Sequence, residues 1–591
     1  MTRPQRGGTR IACYALAFSA FALIAAPMVL RAQNSTELRP DELPGAPHRS
    51  CLEDSVRVAL PEQFNARPIR YVDIVTHGPR SLRIVGTAFD GMHARTRIGT
   101  VRRELLFAPG DKLDSLSVSE SLRQLRTLGF LDDAFLVART CNGPADADSV
   151  DITVVTRDAW STSASGSAHA SGASIGFTER NVLGTGRTLR FGLQGDRNGF
   201  NRSIGFRDPA LLGSDLIGDL RMSQFSHGAS WQAAIVTRRR ALIDPWTLEM
   251  RASSYDRTQS KLLNSASKRS VASVIVGRRL TSRSAGSAVY FLTGAEMENS
   301  RLSSAPNEKI IGPASINRQY AGGLVGMAVL ATHFDTLSWL LPSGVIVDVP
   351  HGIETQFVVG PGRDPIHHEV AGHLDGWIGM AHTVGSKSVV YSDVWVSGYA
   401  GHLNLQQSTL RASISASRSA SRGLWTLRIT GERMRSPDPD VRALASVDVT
   451  SRLLAPGFRL ANDAIAASAE RSVHLREIIR GSMLDAAVFA AGSLRHEPAS
   501  ASVINGASLP GAGASVNPNG GAGFHAAGSA SVLAIGTGLR LLPSRSLRSA
   551  IRLDVGMASI KTLGVKNKPY IALSVSPFIG SGRRRDANRL Q

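Results

Sequence analysis

The chain has 591 residues, 42% hydrophobic and 19% charged, with 67 Lys and Arg against 47 Asp and Glu for a net charge of +20. That apolar content excludes wholesale disorder. Three widely spaced cysteines exclude a disulfide-dense scaffold and a four-cysteine zinc site.

At the N-terminus, Arg3, Arg6 and Arg10 precede an apolar stretch from Ile11 to Leu30, broken by Ser19 and Pro27. Ala32 supplies the small residue before a cleavage point at Gln33. Residues 1–32 therefore read as a secretory signal peptide, with an uncleaved membrane anchor as the alternative. No later segment resembles a membrane helix. The most apolar run, Met483 to Gly492, contains Asp485 and is about half the ~20 residues a helical span needs.

Residues 33–66, with Pro40, Pro44, Pro47 and Pro61, read as a lead-in or linker. Residues 67–159 have another texture. Ile69 to Val75 alternates like a strand, and Thr96 to Phe107 has helical spacing. Pro109-Gly110-Asp111 is a turn. Ser117 to Leu128 predicts a second helix, with Ser117 as cap, Glu120 completing a capping box and Gly129 as the stop. Strands are expected over Asp133 to Thr140 and Ser149 to Thr156. The order β-α-α-β-β describes a small α+β domain.

From 160 to 580 the helical period disappears and period-2 segments take over. Leu189, Phe191 and Leu193 alternate with Arg190, Gly192 and Gln194. Trp425, Leu427 and Ile429 alternate with Thr426, Arg428 and Thr430, and Ile551, Leu553 and Val555 with Arg552, Asp554 and Gly556. A soluble sandwich turns such an apolar face inward and a membrane barrel turns it to lipid, so alternation alone leaves both open. Length favours the barrel: about 420 residues at about 26 per strand give roughly sixteen strands, inside the known range. Few aromatics, 6% of the chain, argue the other way, because barrels carry aromatic girdles. Residues 581–591 form a basic tail.

Three motifs fail on context. Gly172-Ala173-Ser174-Ile175-Gly176 fits the nucleophile-elbow pattern, which needs a helix after it, and lies instead in a strand-like stretch. His367, His368, Glu369 and His373 lack the four-residue His spacing of a helical zinc site. Gly385-Ser386-Lys387-Ser388 misplaces its Lys for a phosphate loop. No enzyme activity and no cofactor are expected. Cys13 leaves with the signal peptide. Export through an oxidising compartment favours a Cys51–Cys141 disulfide over two free buried thiols.

The order of several segments resembles the BamA/TamA superfamily of bacterial surface-antigen, outer-membrane assembly factors. Val101 to Asp111, then Leu122 to Phe130, look like the helices of a POTRA domain, and Thr156 to Trp160 like its exit. Asn181-Val182-Leu183-Gly184-Thr185-Gly186-Arg187 is similar to the turn after the first barrel strand, and Arg207-Asp208-Pro209 to a later strand end. Gly536 to Leu541 and Ile551 to Gly556 resemble the last hairpins. The resemblance implies one periplasmic POTRA domain (67–159) before a transmembrane antiparallel β-barrel (160–580) in the outer membrane. It implies insertion or export of unfolded client proteins by strand addition to the POTRA domain and a lateral gate between the first and last barrel strands. Its partners would be outer-membrane lipid, clients and periplasmic or lipoprotein factors, with no nucleic acid. The alternative is a passive channel or structural barrel that keeps only the fold.

The resemblance also implies a lumen-loop arginine, matched by Arg452, paired with carboxylates on neighbouring strands. Glu470 matches the first carboxylate. Ala490 stands where the second would fall, and the Gly and aromatic that follow the family's arginine are absent. The other reading makes Arg452 an ordinary loop residue.

Overall fold

The computed structural model describes residues 56–59 and 65–577 except 80–92, 142–148, 170–171, 197–198, 227, 239–243, 258–264, 283–286, 305–314, 332, 341–346, 367, 402–403, 436–462, 480–481, 497–528, 543–548 and 561–564.

The N-terminal domain has strands β1 (Val56–Ala59), β2 (Ile69–His77), β3 (Leu131–Cys141) and β4 (Val150–Asp158), with helices α1 (Ile98–Arg102) and α2 (Ser115–Thr127). The sheet order is β1-β3-β4-β2, with β2 parallel to β4 and the other pairs antiparallel. Val101, Leu113, Leu125, Leu131 and Ile152 are among the side chains that close its core between helices and sheet. The α2 cap differs from the sequence expectation. Asp114 fills the N-cap and accepts from the Leu116 and Ser117 amides at 3.2 Å, because the helix begins two residues before Ser117. Glu120 is instead buried, accepting from Gln124 at 2.8 Å and pairing with Arg123. Val56–Ala59, inside the lead-in, adds to the edge of the sheet as a strand.

Beyond Trp160 the chain forms a closed antiparallel barrel. Among the described residues it has twenty strands, from Thr162–His169 to Val565–Pro577, against the sixteen that even spacing predicts. The difference comes from the near half. Its first six strands fit between Thr162 and Thr237 because only two to seven residues separate one strand from the next, so each strand uses about half the chain the estimate allowed. A separate hairpin, Phe334–Leu337 with Val347–Pro350, lies between the tenth and eleventh barrel strands.

The face of the alternation decides between sandwich and barrel. Phe191, Leu193, Trp425, Leu427, Ile429, Val555 and many like them are exposed on the outside. Inward positions carry Arg190, Glu296, Glu298, Asp485 and Arg540, so the barrel is apolar toward lipid and polar within. The few aromatics are economically placed. Trp246 and Trp425 sit outward near the end that faces the N-terminal domain, each under its cross-strand arginine: Arg278 at 5.2 Å and Arg471 at 5.3 Å. Indole and guanidinium together suit the lipid headgroup level. A barrel closed in this way resists detergent while cold. The protein should therefore migrate differently on a gel before and after boiling, and identical migration would contradict closure.

Candidate functional site

Three regions carry chemistry beyond wall-building: the joint between domain and barrel, an ionic network in the lumen, and the seam where the barrel closes.

The joint is built by the residues whose order is recognisable in the sequence. The turn Asn181–Gly186 turns away from the barrel into α1. Leu183, Gly184 and Gly186 all take positive φ, at 54°, 75° and 76°. The Gly184 carbonyl accepts from the Arg97 amide and the Thr100 hydroxyl, both at 3.0 Å. Asn181 is buried, donating to Thr96 Oγ1 at 2.9 Å while its Oδ1 accepts from the Gly186 amide at 2.8 Å. Asp158, at the domain exit, accepts from the Thr96 amide and bonds His93 Nε2, both at 2.9 Å. At the end of the sixth barrel strand, Arg238 pairs with Glu104 at 2.8 Å, both about 5% exposed, and donates to the Pro209 carbonyl at 2.9 Å. Across the barrel mouth, Asp348 of the separate hairpin pairs with Arg126 of α2 at 2.6 Å, and Arg123 lies 4.5 Å over the Phe334 ring. That hairpin is tied to the wall by Asp335, which accepts from Thr383 and bonds His351 at 3.0 Å. Those two bonds hold the Asp335 carboxyl below the usual carboxylate range.

Gly184 is the most exacting position of the joint. A Cβ there would run into the Arg95 carbonyl oxygen, and the positive φ disfavours any L side chain. Gly184→Ala should loosen the domain by about 1–3 kcal/mol, the range for strained backbone. Limited proteolysis between residues 93 and 187 reads this out. Unchanged cleavage would show that the turn tolerates a side chain.

The lumen network lies on the last strands. Glu470 Oε2 accepts from Arg552 Nη2 at 2.7 Å and from Arg540 Nη2 at 3.2 Å, and Arg540 also pairs with Asp554. Gly538 leaves the space: a Cβ there would collide with Asp554 and Arg540. Next to it, His474 bonds Asp485 at 2.9 Å. Two arginines and two acids bridge the strands Asp463–Ile479, Ser529–Leu542 and Ser549–Ile560. Arg452 and Cys51 lie outside the described residues. Cys141 ends β3 opposite Val56, five residues after Cys51. The partners of Glu470 come from strands about 70 and 82 residues on, which no local pattern reveals.

Ala490 pairs with Ala469 and is exposed on the lipid side, while its neighbour Phe489 faces Glu470 across the ladder. Ala490→Asp thus puts a carboxyl into lipid rather than beside Glu470. It should lower barrel stability by up to about 2–3 kcal/mol, read by the temperature at which heat-modifiability is lost. A stabilised barrel would mean that this strand has the opposite facing.

Two rejected motifs also have places. Ser174 pairs with Ser167 within a barrel strand, with no helix after it. His373 is stacked on Tyr399 at 4.5 Å in the lumen wall, 3.2 Å from Glu296.

The seam is the least paired joint of the ring. The last strand meets the first through three residue pairs: Leu573 with Ala168, Ser574 with Ser167 and Val575 with Gly166. The first strand makes eight pairs with the second, and the last makes eleven with its predecessor. The first strand reads Thr-Ser-Ala-Ser-Gly-Ser-Ala-His, without one large apolar residue. Small side chains offer little cross-strand packing and specify register weakly. Pro569, in the last strand, has no N–H to give.

No protein-family model and no curated protein sequence matches the chain. Among solved structures it is similar to BamA from Haemophilus ducreyi lacking POTRA domains 1–3, at 13% identity over 86% of this chain and 84% of that one, with a TM-score of 0.30. CdiB from Acinetobacter baumannii is 10% identical over 88% and 77%, TM-score 0.37. CdiB from Escherichia coli is 11% identical over 86% and 76%, TM-score 0.39. These are distant likenesses of fold; the barrel assignment rests on the closed strand ladder itself.

Proposed function

We propose that this chain is an outer-membrane assembly or export factor of the BamA/TamA type. Its N-terminal domain acts as a periplasmic POTRA domain that receives an unfolded client strand, and the barrel passes the client through a lateral gate between its first and last strands. The observation that carries this reading is the seam: three pairs of small-residue strand beside joints of eight and eleven. A barrel that served only as a wall gains nothing from a joint so much weaker than its neighbours. The lumen network supports the same reading, because it ties the sixteenth, eighteenth and nineteenth strands together and none of its four members lies on the first or the last strand. On this reading the protein is not an enzyme, and its partners are lipid, clients and periplasmic or lipoprotein factors.

The test uses the purified mature protein in liposomes. An unfolded barrel client should fold into these vesicles faster than into empty ones. Ion conductance without any acceleration of client folding would assign the protein as a passive channel.

A further inference from the structure

The lipid-facing charges of the barrel are arranged differently at its two ends. On the fifteenth strand, Gly423–Arg435, the outward row runs from Trp425 through Leu427 and Ile429 to Arg433. That stretch, at about 3.4 Å per residue and a tilt of about 40°, spans roughly 20 Å, close to the ~25 Å apolar band of such barrels. On the seventh strand, the row from Trp246 to Asp256 brackets the band in the same way. At the far end these outward cations bring their own acids. Arg433 lies 3.3 Å from Asp463, and Lys268 lies 3.3 Å from Asp256. At the end that bears the N-terminal domain, Arg278 and Arg471 bring an indole instead.

One of these places holds two arginines. Arg418, on the strand Asn404–Ala420, and Arg471, on the strand Asp463–Ile479, are both direct cross-strand partners of Trp425, one on each side. Arg418 is exposed, and Arg471 is half-buried with its guanidinium 5.3 Å from the Trp425 ring centre. Neighbouring strands lie about 4.8 Å apart, so the two arginines start about 10 Å apart in one outward row, and their forks can converge beside the indole. In register, the surrounding outward positions are Ser388, Ala416, Leu427, Ala469, Val473 and Val488, without a carboxylate. Glu470, next to Arg471 in the chain, faces the lumen and holds Arg540 and Arg552 there. Neither Arg418 nor Arg471 pairs with an acid among the described residues. A cation on the lipid side is costly without a counter-ion, and a guanidinium fork matches phosphate oxygens two at a time.

We propose that Arg418, Trp425 and Arg471 form a binding site for the phosphodiester of an anionic phospholipid, in the leaflet nearest the N-terminal domain. The two guanidinium groups hold the phosphate oxygens, and the indole lies where headgroup gives way to acyl chain. A zwitterionic headgroup fits less well, because its own cation meets two positive charges. Since Arg471 follows Glu470, an occupied site grips from the lipid side the strand that the lumen network grips from within. Such a site requires only the lipid-facing barrel, whatever that barrel does with clients.

The experiment titrates the full chain, in micelles of a non-ionic detergent, with phosphatidylglycerol or phosphatidylcholine and counts bound lipids by native mass spectrometry. The wild type should bind phosphatidylglycerol the more tightly of the two. An arginine near an anionic lipid contributes roughly fivefold in affinity, so Arg418→Gln with Arg471→Gln should weaken phosphatidylglycerol about thirtyfold. Arg433→Gln with Asp463→Asn, at the far end, should leave it unchanged. Inorganic phosphate in large excess should not displace the lipid. Heat-modifiability verifies that each variant retains its barrel. Should the double variant lose its barrel, the single variants decide, each with an expected loss of about fivefold. Wild-type affinity in an intact double variant, or in both intact singles, would overturn the proposal. So would an equal loss in the far-end control. Release of the lipid by inorganic phosphate would make this a site for a free anion and would overturn it as well.

Discussion

Replacing Ser167 and Ser574 with cysteine, in a chain without Cys51 and Cys141, should stop client insertion under oxidising conditions, and reductant should restore it. The two positions are direct partners across the seam. Opposed residues of an antiparallel pair lie about 4.5–5.5 Å apart at Cα, a separation a disulfide can bridge. With about one backbone hydrogen bond per pair at about 1 kcal/mol net, the seam holds on the order of 3 kcal/mol, so roughly one molecule in a hundred is open. The eleven-pair joint beside it would hold on the order of 11 kcal/mol and stay shut. The absence of water raises the cost of every broken bond in lipid, but it does so for both joints and keeps their order. A lock elsewhere is the control. Ser174→Cys with Gln194→Cys, partners in the second and third barrel strands, should leave insertion unchanged. If oxidised Ser167→Cys/Ser574→Cys protein inserts clients at the wild-type rate, the seam is not the gate.

The second large effect is on stability. Glu470→Ala removes the carboxylate that Arg552 and Arg540 share, while Arg540 keeps Asp554. Removing one partner of a buried pair costs about 3–5 kcal/mol, and a lumen that admits water puts this case near about 3. The loss should appear as a lower temperature for the heat-modifiable transition. Asp554→Ala should act on Arg540 in the same way, and the double variant should lose more than the two singles added, because each single leaves Arg540 one carboxylate and the double leaves it neither. Arg452→Ala, measured beside these, tests the pair that the family resemblance implies. A loss matching that of Glu470→Ala, non-additive in the double variant, places Arg452 on Glu470. Wild-type behaviour leaves Arg540 and Arg552 as its partners. If Glu470→Ala itself melts like the wild type, the network does not hold the last strands together.

What could be read from the sequence was what is local. The alternation of Leu189, Phe191 and Leu193 marks a strand with one apolar face, but only ring closure tells whether that face meets lipid. The turn Asn181–Gly186 and the exit residues Arg157, Asp158 and Trp160 stood out because close backbone approach and buried capping tolerate few residue types. The strand count failed because connection length is unrelated to the strand pattern. Asp114 and Ser117 both carry capping side chains, and only backbone geometry separates the N-cap from the third helical residue. The Glu470 network joins three strands through tertiary register, and one residue of slip turns every side chain to the other face, as Ala490 illustrates. β1 hid in a proline-rich lead-in because four residues are too few to show a period.

The three ties between domain and barrel also govern how the ring can deform. They fall at the turn between the second and third strands, at the end of the sixth and at the hairpin between the tenth and eleventh. The α+β domain therefore splints one arc of the cylinder, so that this arc moves with it as a stiff plate. The eleventh to twentieth strands are a hoop fastened along one border by the seven pairs between the tenth and eleventh strands and along the other by the three pairs of the seam. Any tilt of the domain is then delivered as shear to the border between plate and hoop, where the resistance is least.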